Sequence, residues 1–253
     1  MPISIIRASR NTKYVFPKNE NYLHISEFYY DAVQGEGASI GTPSAFLRMQ
    51  GCSLYCQYCD TKEVLGYGRS YSFEEVFTLM EKTTVIQQFK KGQHLVLTGG
   101  SPLLRQKELL KFLREFEYRY GFLPYIEIEN ECVYVPEEGI VSLISQWNNS
   151  PKLENSGMTK MARYRPDVLK LLSQFPNSWF KFVITQKNDW EEIEKYYLEP
   201  SLIRQEQIIL MPECLTTKGL IAREKEVLDL AMRKGVRYSD RLHIRFWGNK
   251  IGF

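Results

Sequence analysis

The sequence predicts a single α/β domain with a parallel sheet, and three observations lead there. Short apolar runs rich in β-branched and aromatic residues alternate with segments whose apolar residues recur at helical spacing. No stretch rich in Pro, Gly or Ser, no low-complexity tract and no internal repeat divides the 253 residues. Turn motifs follow the apolar runs: Gly51 after one, Thr98-Gly99-Gly100 after another, Met211-Pro212-Glu213 after a third. Ligand sites of parallel sheets gather at such C-terminal strand ends.

In chain order, residues 1–22 read as an N-terminal extension. Arg7, Arg10, Lys13 and Lys18 punctuate it, and it lacks the apolar centre of a secretion signal. Residues 23–253 read as the domain. Strands are predicted at 23–30, 45–49, 94–97, 125–128, 180–184, 207–210 and 242–246. A helix is predicted from Ser72, which stands three residues before Glu75 as in a capping box, with Phe73, Val76, Phe77 and Met80 on one face. Leu109, Leu110, Leu113, Phe116 and Tyr120 repeat that spacing, and further helices are predicted at 167–175, 190–197 and 220–234. This succession implies βαβ crossovers.

Composition narrows the function classes. Hydrophobic residues make up 43% and charged residues 25%, the balance of a soluble globular protein. A net charge of +3 gives no basic excess for a nucleic-acid partner, and the basic run at 160–165 reads as a solvated helix start or loop. No run approaches the roughly 18 apolar residues of a membrane span. The five cysteines are an odd number and three of them fall within eight residues. That argues for a metal site in a reducing compartment, the cytoplasm by default, rather than for disulfides.

Cys52, Cys56 and Cys59 have the spacing C-x3-C-x2-C, so three thiolates on one short loop can wrap one compact metal centre. Structural zinc and most iron–sulfur sites take four ligands, and Cys132 and Cys214 are remote in sequence. A three-thiolate cubane would instead leave one iron open, as catalytic metal sites do. Spacing alone leaves a zinc or four-ligand iron–sulfur binding module as an alternative. Elsewhere, Gln34 offers both donor and acceptor, and Arg48 suits a bidentate carboxylate contact. Read singly, Gly99-Gly100 is a turn, Gln34–Gly37 a glycine-rich loop and Arg48 a salt-bridge partner. His24, His94 and His243 read as structural.

The cysteine spacing with Tyr58 before the last Cys resembles the radical S-adenosylmethionine (SAM) signature. Around it, Val33-Gln34-Gly35-Glu36-Gly37, Gly41-Thr42-Pro43, Phe46-Leu47-Arg48, Gly51-Cys52 and Cys59-Asp60-Thr61 are similar to the 7-carboxy-7-deazaguanine synthase (QueE) family. The similarity continues through Thr98-Gly99-Gly100, Ser150-Pro151-Lys152, Lys181-Phe182-Val183, Leu210-Met211-Pro212-Glu213, and His243 to Trp247-Gly248, and so covers residues 23–253.

The resemblance implies an incomplete (β/α)6-type partial barrel whose three cysteines hold a [4Fe–4S] cluster. It implies that the open iron is chelated by SAM, which is cleaved to methionine and a 5′-deoxyadenosyl radical. That radical takes hydrogen from C6 of 6-carboxy-5,6,7,8-tetrahydropterin, and the ring contracts with loss of ammonia to 7-carboxy-7-deazaguanine, a queuosine-type precursor. By the same resemblance Tyr58, Cys59, Asp60, Gly99, Gly100, Ser150, Pro151, Lys152, Met211, Pro212, Glu213 and Cys214 line the SAM site. Val33, Gln34, Gly35, Glu36, Arg48 and Thr98 meet the substrate, and Thr61 gives an oxygen to Mg²⁺. A homodimer and an electron donor such as flavodoxin or ferredoxin are further implications.

The sequence departs from the family in places. Ser101 stands where radical SAM proteins often carry a Glu that meets the SAM amino group, and Glu129 is the expected replacement. Glu129-Asn130-Glu131-Cys132 replaces the usual E-T-x-G, and Cys214 replaces a glycine and is not expected to ligate the cluster. A radical SAM activase of a partner protein would share the cysteine loop, with no need for the Gln34/Arg48 pocket or Thr61.

Overall fold

The computed structural model describes residues 2–7 and 21–248. Its strands are β1 (Ile3–Ile6), β2 (Tyr22–Val33), β3 (Pro43–Met49), β4 (Arg69–Ser72), β5 (His94–Gly99), β6 (Ile126–Asn130), β7 (Gln146–Asn149), β8 (Ser178–Ile184), β9 (Ile208–Pro212) and β10 (Arg237–Tyr238). They form one sheet in the order β1-β2-β3-β5-β6-β7-β8-β9-β10, with β4 on β2. From β3 to β10 every neighbouring pair is parallel. β3, β5, β6, β7, β8 and β9 are each followed by helix before the next parallel strand. This is the open, partial α/β barrel of about six units that the family resemblance implies.

Two-residue periodicity sorts the strands into two faces. Ala45, Leu47, Met49, Leu95, Leu97, Ile126, Ile128, Trp147, Phe180, Phe182, Ile208 and Leu210 belong to the main hydrophobic core. The alternate residues, among them Arg48, Thr98, Glu127, Glu129, Gln146, Asn148, Lys181 and Met211, take the other face, which is largely polar. There Gln146 and Asn148 both donate to Glu127 Oε2, at 3.1 and 2.6 Å.

The helices follow their sequence signals. Ser72 Oγ accepts from Glu75 N at 3.2 Å while Glu75 Oε2 accepts from Ser72 N at 2.7 Å, completing the capping box of Phe73–Glu81. Phe73, Val76, Phe77 and Met80 are buried there, and Phe77 stacks on Phe112 of helix Gln106–Tyr120 with centroids 5.0 Å apart. The helices expected at 167–175 and 220–234 are Pro166–Leu172 and Thr217–Lys234. The one at 190–197 is Asp189–Ile193 running into a π-helical turn, Glu194–Leu198.

Two expectations change. The strand expected at 242–246 is a helix, Leu242–Trp247, ended by Gly248 at φ +66°. Its Leu, Ile and Phe resemble a strand in composition, but Ile244 packs with Leu220 and Cys214, while β10 takes the sheet edge beside β9. Within the N-terminal extension, Ile3–Ile6 pairs antiparallel with β2, whereas residues 8–20 lie outside the described residues. None of the described helices is long and apolar enough to cross a membrane.

Candidate active site

The C-terminal ends of β5 to β9 and the loop after β3 surround one cavity, which holds about 950 Å³ of space not filled by protein and opens to solvent. Gly51, at φ +88°, turns the chain out of β3 into the cysteine loop. Cys52, Cys56 and Cys59 all line the cavity, with Tyr58, Asp60 and Thr61. The loop is held from below: Ser101 N donates to Gly51 O at 3.1 Å and Ser53 N to Ser101 Oγ at 3.1 Å.

The double glycine has a packing reason. A Cβ on Gly99 would meet Met49 O at 2.2 Å, and one on Gly100 would meet Gly51 O at 2.2 Å and Cys52 Cβ at 2.3 Å. These residues let the end of β5 pass under the cysteine loop, as well as lining the cavity.

The thiols form a set of three. Among the described residues, Cys132 sits in the main core and Cys214 packs with Leu220 and Ile244, and neither lines the cavity. Cys214 stands behind Arg241, which donates to its carbonyl. The three sulfurs are not gathered within 4.8 Å of one another; among the described residues that spacing is met only by Glu36, Asp60 and His243. Burial pushes the Cys52 and Cys56 thiols up, so metal loading must displace their protons.

Of the other expected SAM-site residues, Glu129, Ser150, Lys152 and Met211 line the cavity. Lys152 Nζ donates to both oxygens of Ser150 at 2.7 Å. Burial pushes the Tyr58 hydroxyl far up, so that ring stays neutral. Pro151, Pro212, Glu213 and Cys214 do not line the cavity; Glu213 instead faces Arg223 at 3.3 Å.

The expected substrate residues stand in two layers. Glu36 lines the cavity, paired with Lys181 and with Arg241, the latter at 2.8 Å. Burial alone would raise its carboxyl, but the two cations outweigh that and hold it well below the carboxylate range. Arg241 also pairs with Asp60. The Glu36–Asp60–His243 group therefore already has its counter-cations in Lys181 and Arg241. Gly35 is glycine because His243 packs on it: a Cβ would stand 2.4 Å from His243 Nδ1.

Gln34, Thr98 and Arg48 lie one layer back. Gln34 Nε2 donates to Glu129 Oε1 at 3.2 Å and Thr98 Oγ1 to Glu129 Oε2 at 2.6 Å, so together they fix Glu129. Arg48 lies opposite Glu27 on β2 and Thr98 on β5, and its Nε donates to Glu27 Oε2 at 3.0 Å. Val33 closes the β2–β3 ladder opposite Pro43.

Sequence reasoning missed Glu131, Asn148, Lys181 and Arg241, all of which line the cavity. Period-two alternation carried a signal for the first: Glu127, Glu129 and Glu131 interleave with the core residues Ile126 and Ile128.

A parallel partial barrel that presents three thiols of one loop over its open end defines an iron–sulfur protein of the radical SAM class. The family described as a 4Fe-4S single cluster domain matches residues 33–126. The chain is 33% identical over 250 residues to the 7-carboxy-7-deazaguanine synthase of Halobacterium salinarum, covering 90% of this chain and 91% of that one. It is 31% identical over 225 residues to the enzyme of that name from Pyrobaculum aerophilum, covering 88% and 94%. The crystal structure of QueE from Escherichia coli superposes with a TM-score of 0.61 at 21% identity, over 88% of this chain and 95% of that one, a likeness of fold. The chain belongs to the 7-carboxy-7-deazaguanine synthase family.

Proposed function

We propose that this chain converts 6-carboxy-5,6,7,8-tetrahydropterin to 7-carboxy-7-deazaguanine with loss of ammonia. The observation that carries the reading is the three-thiol loop facing the oxygen- and nitrogen-bearing strand ends across one cavity, in a chain of this family. When bound, the [4Fe–4S] cluster and SAM supply a radical able to take hydrogen from an unactivated carbon. Everything else falls to the chain's own side chains. Cys52, Cys56 and Cys59 would hold the cluster through their three thiolates. Tyr58, Ser150, Lys152 and Met211 bind SAM along the wall beside it.

Lys181 and Arg241 keep Glu36 ionised, so it can accept from the N–H groups of the pterin edge. Arg48 uses Nε on Glu27 and stands one layer behind the cavity wall, and the family resemblance assigns it to the substrate carboxylate. Gln34 and Thr98 act through Glu129, holding its carboxylate toward the cavity. Thr61, with its hydroxyl 3.6 Å from Cys59 Sγ, offers an oxygen to a Mg²⁺ ion completed by substrate and water. A homodimer, an electron donor of the flavodoxin or ferredoxin type and a cytoplasmic setting complete the proposal.

Anaerobic reconstitution followed by reaction with SAM, reductant and the tetrahydropterin, with products read by mass, tests this reading. The deazaguanine carboxylate is expected. SAM cleavage without that product would overturn the substrate assignment and leave the class standing.

A further inference from the structure

Glu131 stands at the end of β6 on the cavity wall, with 4% of its surface exposed. Its Oε1 accepts two short hydrogen bonds, from Ser101 Oγ at 2.6 Å and Ser53 Oγ at 2.6 Å. Its Oε2 is buried and has no hydrogen-bond partner among the described residues. A buried carboxylate oxygen without a donor costs free energy, and Glu131 lines the cavity, where a bound ligand could supply that donor.

The chain holds this carboxylate in place deliberately. Cys132, the next residue, adopts φ +65°, a left-handed conformation costly for a residue with a Cβ. Cys132 N donates to Asn130 Oδ1 at 2.9 Å, and Asn130 Nδ2 donates to Asn149 Oδ1 at 2.7 Å on the neighbouring strand. The turn therefore has fixed geometry on both sides of Glu131. The hydroxyls that occupy Oε1 come from Ser101 and from Ser53, the residue after Cys52, and Ser101 Oγ is itself 3.7 Å from Cys52 Sγ. The unpartnered oxygen thus belongs to a carboxylate one hydroxyl away from the metal-binding thiols.

Glu129 differs. Both of its oxygens already accept, from Gln34 and Thr98, whereas Glu131 keeps one oxygen without a partner among the described residues. Lys152 lines the same cavity and supplies the opposite charge. A carboxylate and an ammonium on one wall match the amino and carboxylate groups of an α-amino acid end.

We propose that Glu131, aimed by Ser101 and Ser53, accepts the hydrogen bond of the methionyl amino group of SAM in place of a glutamate at position 101. This deepens the functional reading above and rests on it. Ser101 then becomes a positioning residue: its small side chain makes room for the carboxylate of Glu131 and holds one oxygen of it, leaving the other for the ligand.

The test uses the reconstituted holoenzyme and two probes, SAM and 5′-methylthioadenosine, which shares the adenosine but lacks the amino-acid end. A hydrogen bond to a charged group contributes about 1.5–3 kcal/mol, so E131Q should weaken SAM binding about tenfold to a hundredfold at unchanged iron content. Methylthioadenosine should bind wild type and E131Q alike. The exchanged variant S101E/E131S, which returns the carboxylate to position 101, should recover most of the SAM affinity that E131S loses. Equal SAM affinity in wild type and E131Q would overturn the proposal, and so would equal weakening of both probes. If E131Q fails to load iron, S101A reads the same selectivity: loss confined to SAM supports the proposal, and unchanged SAM affinity overturns it. A wild-type holoenzyme that binds no SAM at all would instead overturn the functional reading.

Discussion

Gly100→Ala tests how the end of β5 carries the cysteine loop. The added Cβ would stand 2.2 Å from Gly51 O and 2.3 Å from Cys52 Cβ. Contacts between such atoms are comfortable near 3.5–4.0 Å, so one of the two segments must move by about 1 Å or more. Neither obstacle is the far end of a flexible side chain. Gly51 is fixed by its positive φ and by the bond from Ser101 N, and Cys52 is one of the three proposed cluster ligands. Overpacking at a site that cannot yield costs about 1–3 kcal/mol, and the upper part of that range applies here. For a chain of this size, 2–3 kcal/mol lowers the melting temperature by roughly 4–12 °C.

Any relief comes from displacing Cys52, so the loss should appear first in the cluster. Iron and sulfide analysis after reconstitution should show reduced loading, and thermal denaturation the lowered melting point. Gly66→Ala is the control, because its Cβ would meet nothing within 4 Å, and it should stay within about 0.5 kcal/mol of wild type. Full iron content with an unchanged melting temperature in Gly100→Ala would refute the close-approach argument.

Cys56→Ala should abolish the brown chromophore and SAM cleavage together, and an iron assay that still finds the full complement would remove Cys56 from the ligand set. Thr61→Ala should weaken the dependence of turnover on Mg²⁺, and a titration superimposable on that of wild type would count against the assigned oxygen. Arg241→Met strands Asp60 and half of the Glu36 network, costing about 3 kcal/mol near pH 7, the low end for a broken buried pair because Lys181 remains on Glu36. In wild type the depressed Glu36 carboxyl contributes stability that is full above its ordinary value of 4.5 and is lost as pH falls toward the depressed value. Protonation relieves the variant first, so the gap in denaturation free energy between the two should narrow as pH drops through that range. A pH-independent gap would contradict the pairing.

Much of this architecture was legible because the helix-facing side of each strand is apolar. Ala45, Leu47 and Met49, or Phe180 and Phe182, mark their strands plainly, and the Ser72/Glu75 capping box marks a helix start. β7 was not legible, because three of its four residues, Gln146, Asn148 and Asn149, are polar and buried. Their partners, such as Glu127 and Ser178, come from neighbouring strands, and no local pattern announces them. The helix Leu242–Trp247 was misread for a related reason: its buried face is the single residue Ile244, too little to set a helical period.

The candidate site divides in the same way. Three thiols on one loop are a local signal, readable from spacing. The Glu36–Lys181–Arg241 network joins residues up to 205 positions apart, and only the folded chain brings them together. Glu131 lies between these cases. Its place at period two after Glu127 and Glu129 was visible, but its unpartnered oxygen is a property of the packed site.

The reading proposed above stands or falls on three protein thiolates holding a [4Fe–4S] cluster with one iron left open to SAM. Electron paramagnetic resonance of the reduced, reconstituted wild-type protein, recorded without and with SAM, addresses it directly. A reduced-cluster signal whose shape changes on adding SAM is expected. A signal indifferent to SAM, or a colourless protein that binds zinc in its place, would contradict it.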